Sequence, residues 1–201
     1  MTNILKQVEK NGLWGFINHH KQLVIDYQYQ QTLGVYQDIA PVQNPNNNHW
    51  GYINTQGQML LDCQYERADA FVNGLAIVRQ YGLAGVINLQ NQWVIVCQYQ
   101  RLNWLSIGEF KNKKLANLLL AQQTDDKKYG IINTNNDIII PFEYKKILKF
   151  WQHGKCQDST YFYVCKNDKW GIIDLTGRVI ISIKLNNINT LNEHINNKNF
   201  L

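Results

Sequence analysis

The features that this sequence lacks exclude several classes of protein. No stretch approaches the ~18 consecutive apolar residues of a membrane-spanning helix. The N-terminal segment MTNILKQVEKNGLWG has no apolar run long enough for a secretory signal. We therefore expect a cytoplasmic protein that does not enter a membrane.

Metal-binding and catalytic motifs are also scarce. The four cysteines contain no C-x-x-C pair, and we expect free thiols at Cys63, Cys97, Cys156 and Cys165. His153 and Cys156 have ligand-like spacing, but they supply only two of the four ligands of a structural metal site. There is no G-x-S-x-G, Walker-type or G-x-G-x-x-G motif. We therefore expect no metal, no cofactor and no enzymatic activity.

Positive charge is concentrated in the C-terminal half of the chain. Residues 1–100 contain 5 Lys and Arg against 6 Asp and Glu, a balance of −1. Residues 101–201 contain 15 against 9, a balance of +6. Such a half either presents a solvated basic surface or forms the footprint of a partner.

A repeated motif organises the sequence. It is anchored by a glycine that follows a mostly aromatic residue, at Trp14-Gly15, Trp50-Gly51, Ala84-Gly85, Tyr129-Gly130 and Trp170-Gly171. Ile stands two residues after each glycine, Asn or Asp three after it, and an aliphatic residue nine after it. Fourteen after it lies a column of tyrosines that ends in leucine: Tyr29, Tyr65, Tyr99, Tyr144 and Leu185. These shared offsets define five repeats.

Each repeat is typical of antiparallel β-structure. Segments such as WGYIN and QMLLDCQY are rich in β-branched and aromatic residues and flank a polar turn. The Asn or Asp at the end of the first segment can bond the turn backbone. Six residues after the glycine, the residue types suit a positive φ in four repeats, at Gly57, Asn91, Asn136 and Gly177. Lys21 takes this place in the first repeat and predicts a less regular turn.

The predicted fold is all-β, with five tandem three-stranded antiparallel meanders in one continuous open array over residues 1–185. The third strand of a meander precedes the motif, as at residues 75–80 and 161–166. One meander cannot bury its apolar face alone, so its neighbours supply the core. A closed, propeller-like array is the alternative. Residues 186–201 are Asn-rich and form a C-terminal cap or tail.

The motif resembles that of the WG-repeat family of bacterial proteins. The second repeat also carries the family's aromatic residue and G-x-A-x-V after the tyrosine, at Phe71, Gly74, Ala76 and Val78. The resemblance covers roughly residues 4–185 and weakens where Ala84 replaces Trp and Leu185 replaces Tyr. It implies a repeat scaffold for binding and supplies no catalytic residues.

The repeat register assigns several reactive side chains to packing positions. Cys63 and Cys97 stand where the other repeats have Tyr27, Phe142 and Ile183, so the cysteines act there as small apolar residues. Trp93 shares its place with aliphatic residues, and Trp14, Trp50 and Trp170 are part of the motif. We expect all of them to pack against neighbouring side chains.

The candidate binding residues are those that interrupt the repeat. They combine two tryptophans with nearby lysines: Trp104, Lys111, Lys113, Lys114, Trp151 and Lys155. Trp is common among interface hot spots, and loops carry much of the binding function of repeat proteins. The other interpretation is that the two tryptophans cap the apolar end of the array while the lysines keep it soluble.

These observations favour a non-enzymatic protein-binding repeat protein. Stand-alone bacterial proteins of this kind often act as immunity proteins or antitoxins that cover the active site of a toxin, and here the basic half would face an acidic surface of that protein. The alternative is nucleic-acid binding by the same half, with Trp104 and Trp151 stacking on bases. Arg101 and Arg178 are its only arginines, which weighs against that alternative.

Overall fold

The computed structural model describes residues 5–105, 117–149 and 161–197, with side chains up to residue 193 in the last range. These residues form nineteen β-strands in five antiparallel sheets and one C-terminal helix. The predicted all-β class and the five tandem sheets are confirmed. Among the described residues, no helix has the length and hydropathy needed to cross a membrane.

The sheets follow one another along the chain. The first contains β1 (Lys6–Lys10), β2 (Leu13–Ile17) and β3 (Leu23–Tyr29). The second contains β4 (Gln31–Thr32), β5 (Ile39–Gln43), β6 (Trp50–Asn54) and β7 (Met59–Tyr65). The third contains β8 (Arg67–Ala68), β9 (Leu75–Gln80), β10 (Leu83–Asn88) and β11 (Trp93–Tyr99).

The fourth sheet contains β12 (Arg101–Trp104), β13 (Leu118–Gln122), β14 (Tyr129–Asn133) and β15 (Ile138–Tyr144). The fifth contains β16 (Lys146–Lys149), β17 (Tyr161–Lys166), β18 (Lys169–Asp174) and β19 (Val179–Leu185), and the helix α1 (Ile188–Asn197) follows.

Strands pair in chain order within every sheet, so none of the five sheets closes on itself. The first sheet has the three predicted strands, whereas the other four begin with a short additional strand: β4, β8, β12 or β16. Each of these strands directly follows the residue after a column tyrosine and is only two to four residues long. Segments this short carry no recognisable periodicity, which is why the sequence predicted three strands throughout.

An Asn or Asp side chain holds the turn of each repeat. In the second repeat, Asn54 Oδ1 accepts hydrogen bonds from the backbone N–H of Gln56 at 3.0 Å and of Gln58 at 2.9 Å. Gly57 adopts the expected positive φ of 80°. The same pair of side-chain bonds recurs in the other four repeats.

The prediction of a less regular first turn is wrong. Lys21 has a φ of 62°, and its N–H donates to the Asn18 carbonyl at 3.0 Å, as the equivalent residue does in the other repeats. The Asn18 side chain makes the same two bonds as Asn54 does. The turn is therefore set by the asparagine, which compensates for a non-glycine residue at the left-handed position.

The repeat glycine marks a close approach of two backbones. A Cβ on Gly51 would lie 2.4 Å from the carbonyl oxygen of Leu61 on the next strand. The pairing register shifts here, because Trp50 lies opposite Tyr65 while Tyr52 lies opposite Leu61. A β-bulge in β7 thus faces Gly51 and leaves no room for a side chain. At the other four repeat glycines a Cβ would meet the equivalent carbonyl at 2.5 to 2.7 Å.

Two columns of side chains build the core. The residue directly after each glycine is at most 2% exposed: Phe16, Tyr52, Val86, Ile131 and Ile172. The residue ten after each glycine is also buried: Ile25, Leu61, Ile95, Ile140 and Ile181. The two columns face each other across the hairpin, as Phe16 does Ile25.

The tyrosine column joins consecutive repeats. The Tyr65 hydroxyl donates a hydrogen bond to Asn91 Oδ1 in the turn of the next repeat, and Tyr99 donates to Asn136 Oδ1 at 2.7 Å. Tyr65 is 2% exposed and meets the Trp93 ring edge-on, with centroids 6.2 Å apart. Tyr65 and Tyr99 are therefore both core residues and links to the following repeat.

The chain divides into two compact units, Met1–Gln98 and Tyr99–Leu201. The N-terminal unit contains the first two sheets and all but the last residue of the third. The C-terminal unit contains the fourth and fifth sheets and α1. Asn187 caps this helix by accepting the Thr190 N–H at 2.8 Å, and Leu191 is fully buried with Tyr163 and Ile172 of the fifth sheet.

Candidate functional site

Of the predicted binding residues, Trp104 alone lies among the described residues. Lys111, Lys113, Lys114, Trp151 and Lys155 lie outside them. Trp104 ends β12 opposite Leu119 and is partly buried. Its Nε1 is buried and has no hydrogen-bond partner in the described part of the chain. With Phe162 and Ile188, among others, it lines a mostly apolar cavity of about 460 Å³ in the C-terminal unit. Trp104 is therefore a partly enclosed side chain and not a freely exposed anchor.

Several lysines of the C-terminal unit are held by other side chains. Lys128 pairs with Asp126 at 2.9 Å, Lys145 with Asp168 at 2.6 Å and Lys166 with Glu143 at 2.7 Å. Lys169 donates to Asn186 Oδ1 at 2.6 Å. These pairs are largely exposed, and each contributes little stability. They nevertheless neutralise part of the positive charge that the composition assigns to this half.

A second surface was not identified from the sequence. It consists of large apolar side chains at the start of the last strand of each sheet in the N-terminal unit. We call this set the apolar row. Its members and their exposed fractions are Leu23 (47%), Val24 (44%), Met59 (44%), Leu60 (46%), Trp93 (39%) and Val94 (37%). They stand eight and nine residues after the repeat glycine.

The position of the outer strand explains this exposure. β3, β7 and β11 are each the last strand of their sheet, so no further strand of that sheet covers them. In β7, Leu61 points into the core, and the preceding Leu60 points to the opposite face because side chains alternate along a strand. Met59 pairs with Ile53 next to the turn, where the pairing shifts between Tyr52 and Ile53, and it is 44% exposed.

The three repeats of the N-terminal unit are linked in the same way. The turn of the second repeat rests on the first, since a Cβ on Gly57 would lie 3.3 Å from Ile25 Cγ1. The turn of the third repeat binds Tyr65 of the second through Asn91. Equivalent residues therefore recur from one repeat to the next, and each repeat of this unit adds two exposed apolar side chains at the same place. Exposed apolar residues that recur in this way are candidates for an interaction site.

Trp93 corrects one of the sequence predictions. It was expected to pack, and its ring does contact Tyr65 edge-on, yet 39% of the residue remains exposed. The repeat register correctly placed Trp93 beside apolar neighbours. It could not show that this position faces solvent, because an apolar residue at a fixed offset is typical both of a core column and of an exposed face that recurs in each repeat.

Cys63 and Cys97 occupy packing positions, as predicted. Burial raises the pKa of the Cys63 and Cys97 thiols, which favours the neutral form and lowers their reactivity. Cys63 lies close enough to Tyr29 to raise the pKa of its hydroxyl, although burial is the larger cause. Phe142, at the same register, stacks on Tyr99 with centroids 5.9 Å apart. Within the described ranges, no three His, Cys, Asp or Glu side chains are grouped as metal ligands.

Five hairpins that share an Asn or Asp turn and a glycine at a backbone crossing, four of them with a buried column tyrosine, define a β-repeat protein. The chain belongs to the family of the WG containing repeat, whose model matches residues 14–48, 50–83, 129–170 and 170–193. The longest unmatched segment, residues 84–128, begins at the glycine motif of the third repeat, in which Ala84 replaces the aromatic residue.

Among solved structures, the chain is similar to the crystal structure of a protein of unknown function from Bacteroides caccae. The two share 10% sequence identity, with a TM-score of 0.27, and the alignment covers 91% of this chain and 78% of that chain. The comparison with curated proteins gives no match.

Proposed function

We propose that this WG-repeat chain is a non-enzymatic binding protein that engages a protein partner through the apolar row. The observation that carries the proposal is the exposure of six large apolar side chains at two adjacent registers in three consecutive repeats. Removing such surface from water contributes about 25 cal/mol per Å². A stable interface buries roughly 1,200 to 2,000 Å² in total, so the row would form its centre and the surrounding polar residues its rim.

The register of the row supports a binding role over a packing role. The core positions of the same strands are already filled by Ile25, Leu61 and Ile95. The fold is therefore complete without the row, and the energy of burying the row is available to a partner.

A narrower form of the proposal is that the partner is a toxin and that the chain is its immunity protein or antitoxin. A repeat array can cover an active site by surface complementarity alone, without catalytic residues. The predicted patch of Trp104, Trp151 and the insertion lysines would then be a second contact, toward an acidic part of the partner. It stays a prediction for residues that lie mostly outside the described ranges.

Nucleic-acid binding is the weaker candidate. Phosphate recognition depends on cations that are free to replace counterions. Three described lysines of the C-terminal unit are instead paired with carboxylates: Lys128, Lys145 and Lys166. The apolar row offers no charge for a phosphate backbone. We therefore favour a protein partner.

Affinity capture with matched variants tests the proposed function. The chain is immobilised in three forms, and each is incubated with a lysate of the native organism. The forms are wild type, the double variant Met59→Ser and Leu60→Ser, and the control Val179→Ser. Val179 is 50% exposed at the register of Met59 but lies in the C-terminal unit. We expect a protein that wild type and control retain and that the double variant loses, while all three chains melt at similar temperatures.

Identical retention by all three chains would show that the apolar row is not the binding surface. If the retained protein is toxic when expressed alone, the narrower proposal of an immunity protein predicts one further result. Co-expression of the wild-type chain, but not of the double variant, should restore growth.

A further inference from the structure

We propose that the apolar row selects a polypeptide in which apolar side chains are interleaved with Lys or Arg. The inference rests on the proposed function and adds the chemistry of the partner. It comes from the residues that share the outward face of β3, β7 and β11 with the row.

Carboxylates lie beside the row in the first two repeats. Asp26 and Asp62 each follow a row residue, Val24 and Leu60, by two positions on the same strand and are exposed. Residues two apart on a strand point to the same face and lie about 6.6 Å apart. Along the outward face of these strands, an apolar residue is therefore followed by an acidic one. A segment with apolar and basic side chains at matching spacing, as along an extended strand, would complement it.

The two carboxylates are not neutralised within the described residues. None of the ion pairs there includes Asp26 or Asp62. The third repeat has Val96 at the same place, 57% exposed, so the face becomes wholly apolar there. In the C-terminal unit the place is taken by Pro141 and Ser182. Acidic charge at this register is thus confined to the first two repeats.

Cations near the row do not offset this charge in the second repeat. Lys21 lies in the first turn, and Lys10 Nζ lies 5.8 Å from the centre of the Tyr27 ring. The first repeat therefore carries charges of both signs near the row. The turn of the second repeat, residues 54–58, contains no charged residue, and Arg67 is paired with Asp69 at 3.4 Å. Met59, Leu60 and Asp62 are therefore the centre of the proposed contact.

A second copy of the same surface is a poor occupant. Two such rows face to face would bring Asp26 and Asp62 close to their equivalents, and like charges across an interface oppose association. The N-terminal unit as a whole has a balance of −1, from 5 Lys and Arg and 6 Asp and Glu in residues 1–98. A basic, amphipathic partner satisfies both the apolar and the charged part of the row.

The test measures binding of defined peptides to the full chain by fluorescence anisotropy. The probe is a labelled peptide of about ten residues built on the repeat Val-Ser-Lys-Ser, which places Val and Lys on one face of an extended strand. Its comparison peptide has Glu for every Lys. We expect the Lys peptide to bind at least tenfold more tightly than the Glu peptide at low salt. Its affinity should fall as salt is added, because exposed ion pairs are screened.

Variants separate the two contributions. The double variant Asp26→Asn and Asp62→Asn should bind the Lys peptide about tenfold more weakly, since each exposed ion pair is worth about two- to fivefold in Kd. The control removes two charges elsewhere, with Asp125→Asn and Glu193→Gln in the C-terminal unit, and should bind as wild type does. Leu60→Ser should weaken binding to a similar extent as the carboxylate variant.

Each result decides between the proposals. If the carboxylate variant binds like wild type, or if both peptides bind equally, the inferred partner chemistry is wrong. If Leu60→Ser still weakens binding in that case, the proposed function stands and the charge argument alone has failed. Concentration-dependent self-association that Leu60→Ser abolishes would identify a second copy as the occupant and overturn the inference.

Discussion

The residue nine positions after the repeat glycine is exposed in the N-terminal unit, at Val24, Leu60 and Val94, and half-buried in the C-terminal unit, at Ile139 and Ile180. The next residue along the strand is buried in both units. In the C-terminal unit, Ile139 packs against a hydrophobic core cluster of the fourth and fifth sheets, and Ile180 packs against one of the fifth sheet and α1. At this position the outer strand is therefore open in one unit and partly covered in the other, whereas the preceding residue is exposed in both units, as at Ile138 (60%) and Val179 (50%).

Charge separates the two units in the same way. The N-terminal unit is close to neutral and carries unpaired carboxylates beside its exposed apolar residues. The C-terminal unit has a balance of +6, from 15 Lys and Arg against 9 Asp and Glu, and several of its lysines are held in ion pairs. A repeat fixes only the residues that form the turn, the crossing and the core, so the remaining surface is free to differ between units.

The largest expected effect tests whether the framework is the same in both units. Gly51→Ala and Gly171→Ala each place a Cβ within 2.6 Å of a backbone carbonyl oxygen, at Leu61 and Ile181. The crossing strand must move, and we expect each substitution to reduce the free energy of unfolding by about 3 kcal/mol or more. Urea denaturation followed by circular dichroism measures the loss.

Gly82→Ala is the control for the glycine substitutions. Gly82 has a φ of 72°, and a Cβ there would have no atom within 4 Å. Its replacement should cost only about 1–2 kcal/mol, from the left-handed backbone. A loss at Gly51 no larger than at Gly82 would contradict the backbone crossing, and unequal losses at Gly51 and Gly171 would mean that the units differ in framework as well as in surface.

A smaller effect sharpens the difference between the two outward faces. Ile180→Ser removes a half-buried side chain that packs against the fifth sheet, and we expect a loss of about 1–2 kcal/mol. Leu60→Ser at the same register changes an exposed residue and should stay within about 0.5 kcal/mol. Thermal or urea unfolding of the two variants compares them directly. Equal losses would indicate that the apolar row is part of the N-terminal core and is not free to bind.

The local parts of the fold could be predicted from the sequence. β9 and β17 begin and end at the predicted residues, 75–80 and 161–166, because alternation and turn residues are encoded within a few positions. The positive φ values of Gly57, Asn91, Asn136 and Gly177 were predictable for the same reason. The short additional strands were not, because a two-residue ladder depends on the preceding repeat and leaves no pattern of its own.

The exposed face was harder to predict because apolar identity does not distinguish the two sides of an outer strand. Leu60 and Leu61 are the same residue type, and only the structure shows that the first is 46% and the second 9% exposed. The bulge opposite Gly51 further disturbs simple alternation along β7. One signal was present: Asp26 and Asp62 follow at the next position of the outward face, and a carboxylate two residues away suggests that the apolar residue shares a solvated side.

The smallest expected effect concerns Asp69, which lies eighteen residues after its repeat glycine. At the same place the following repeat has the neutral Asn103, which belongs to the C-terminal unit. Burial raises the pKa of the Asp69 carboxyl, and the Arg67 guanidinium opposes the shift. A raised folded-state pKa stabilises the fold at low pH, and this stabilisation is lost as the pH rises through that value. Asp69→Asn should therefore melt a few degrees above wild type at about pH 7 and close to it at about pH 3. The control Asp62→Asn removes an exposed charge and should show no such pH-dependent gain. A lower melting temperature for Asp69→Asn at neutral pH would mean that the ion pair with Arg67 outweighs the cost of burial. Asp69 in the N-terminal unit and Asn103 in the C-terminal unit would then not be interchangeable.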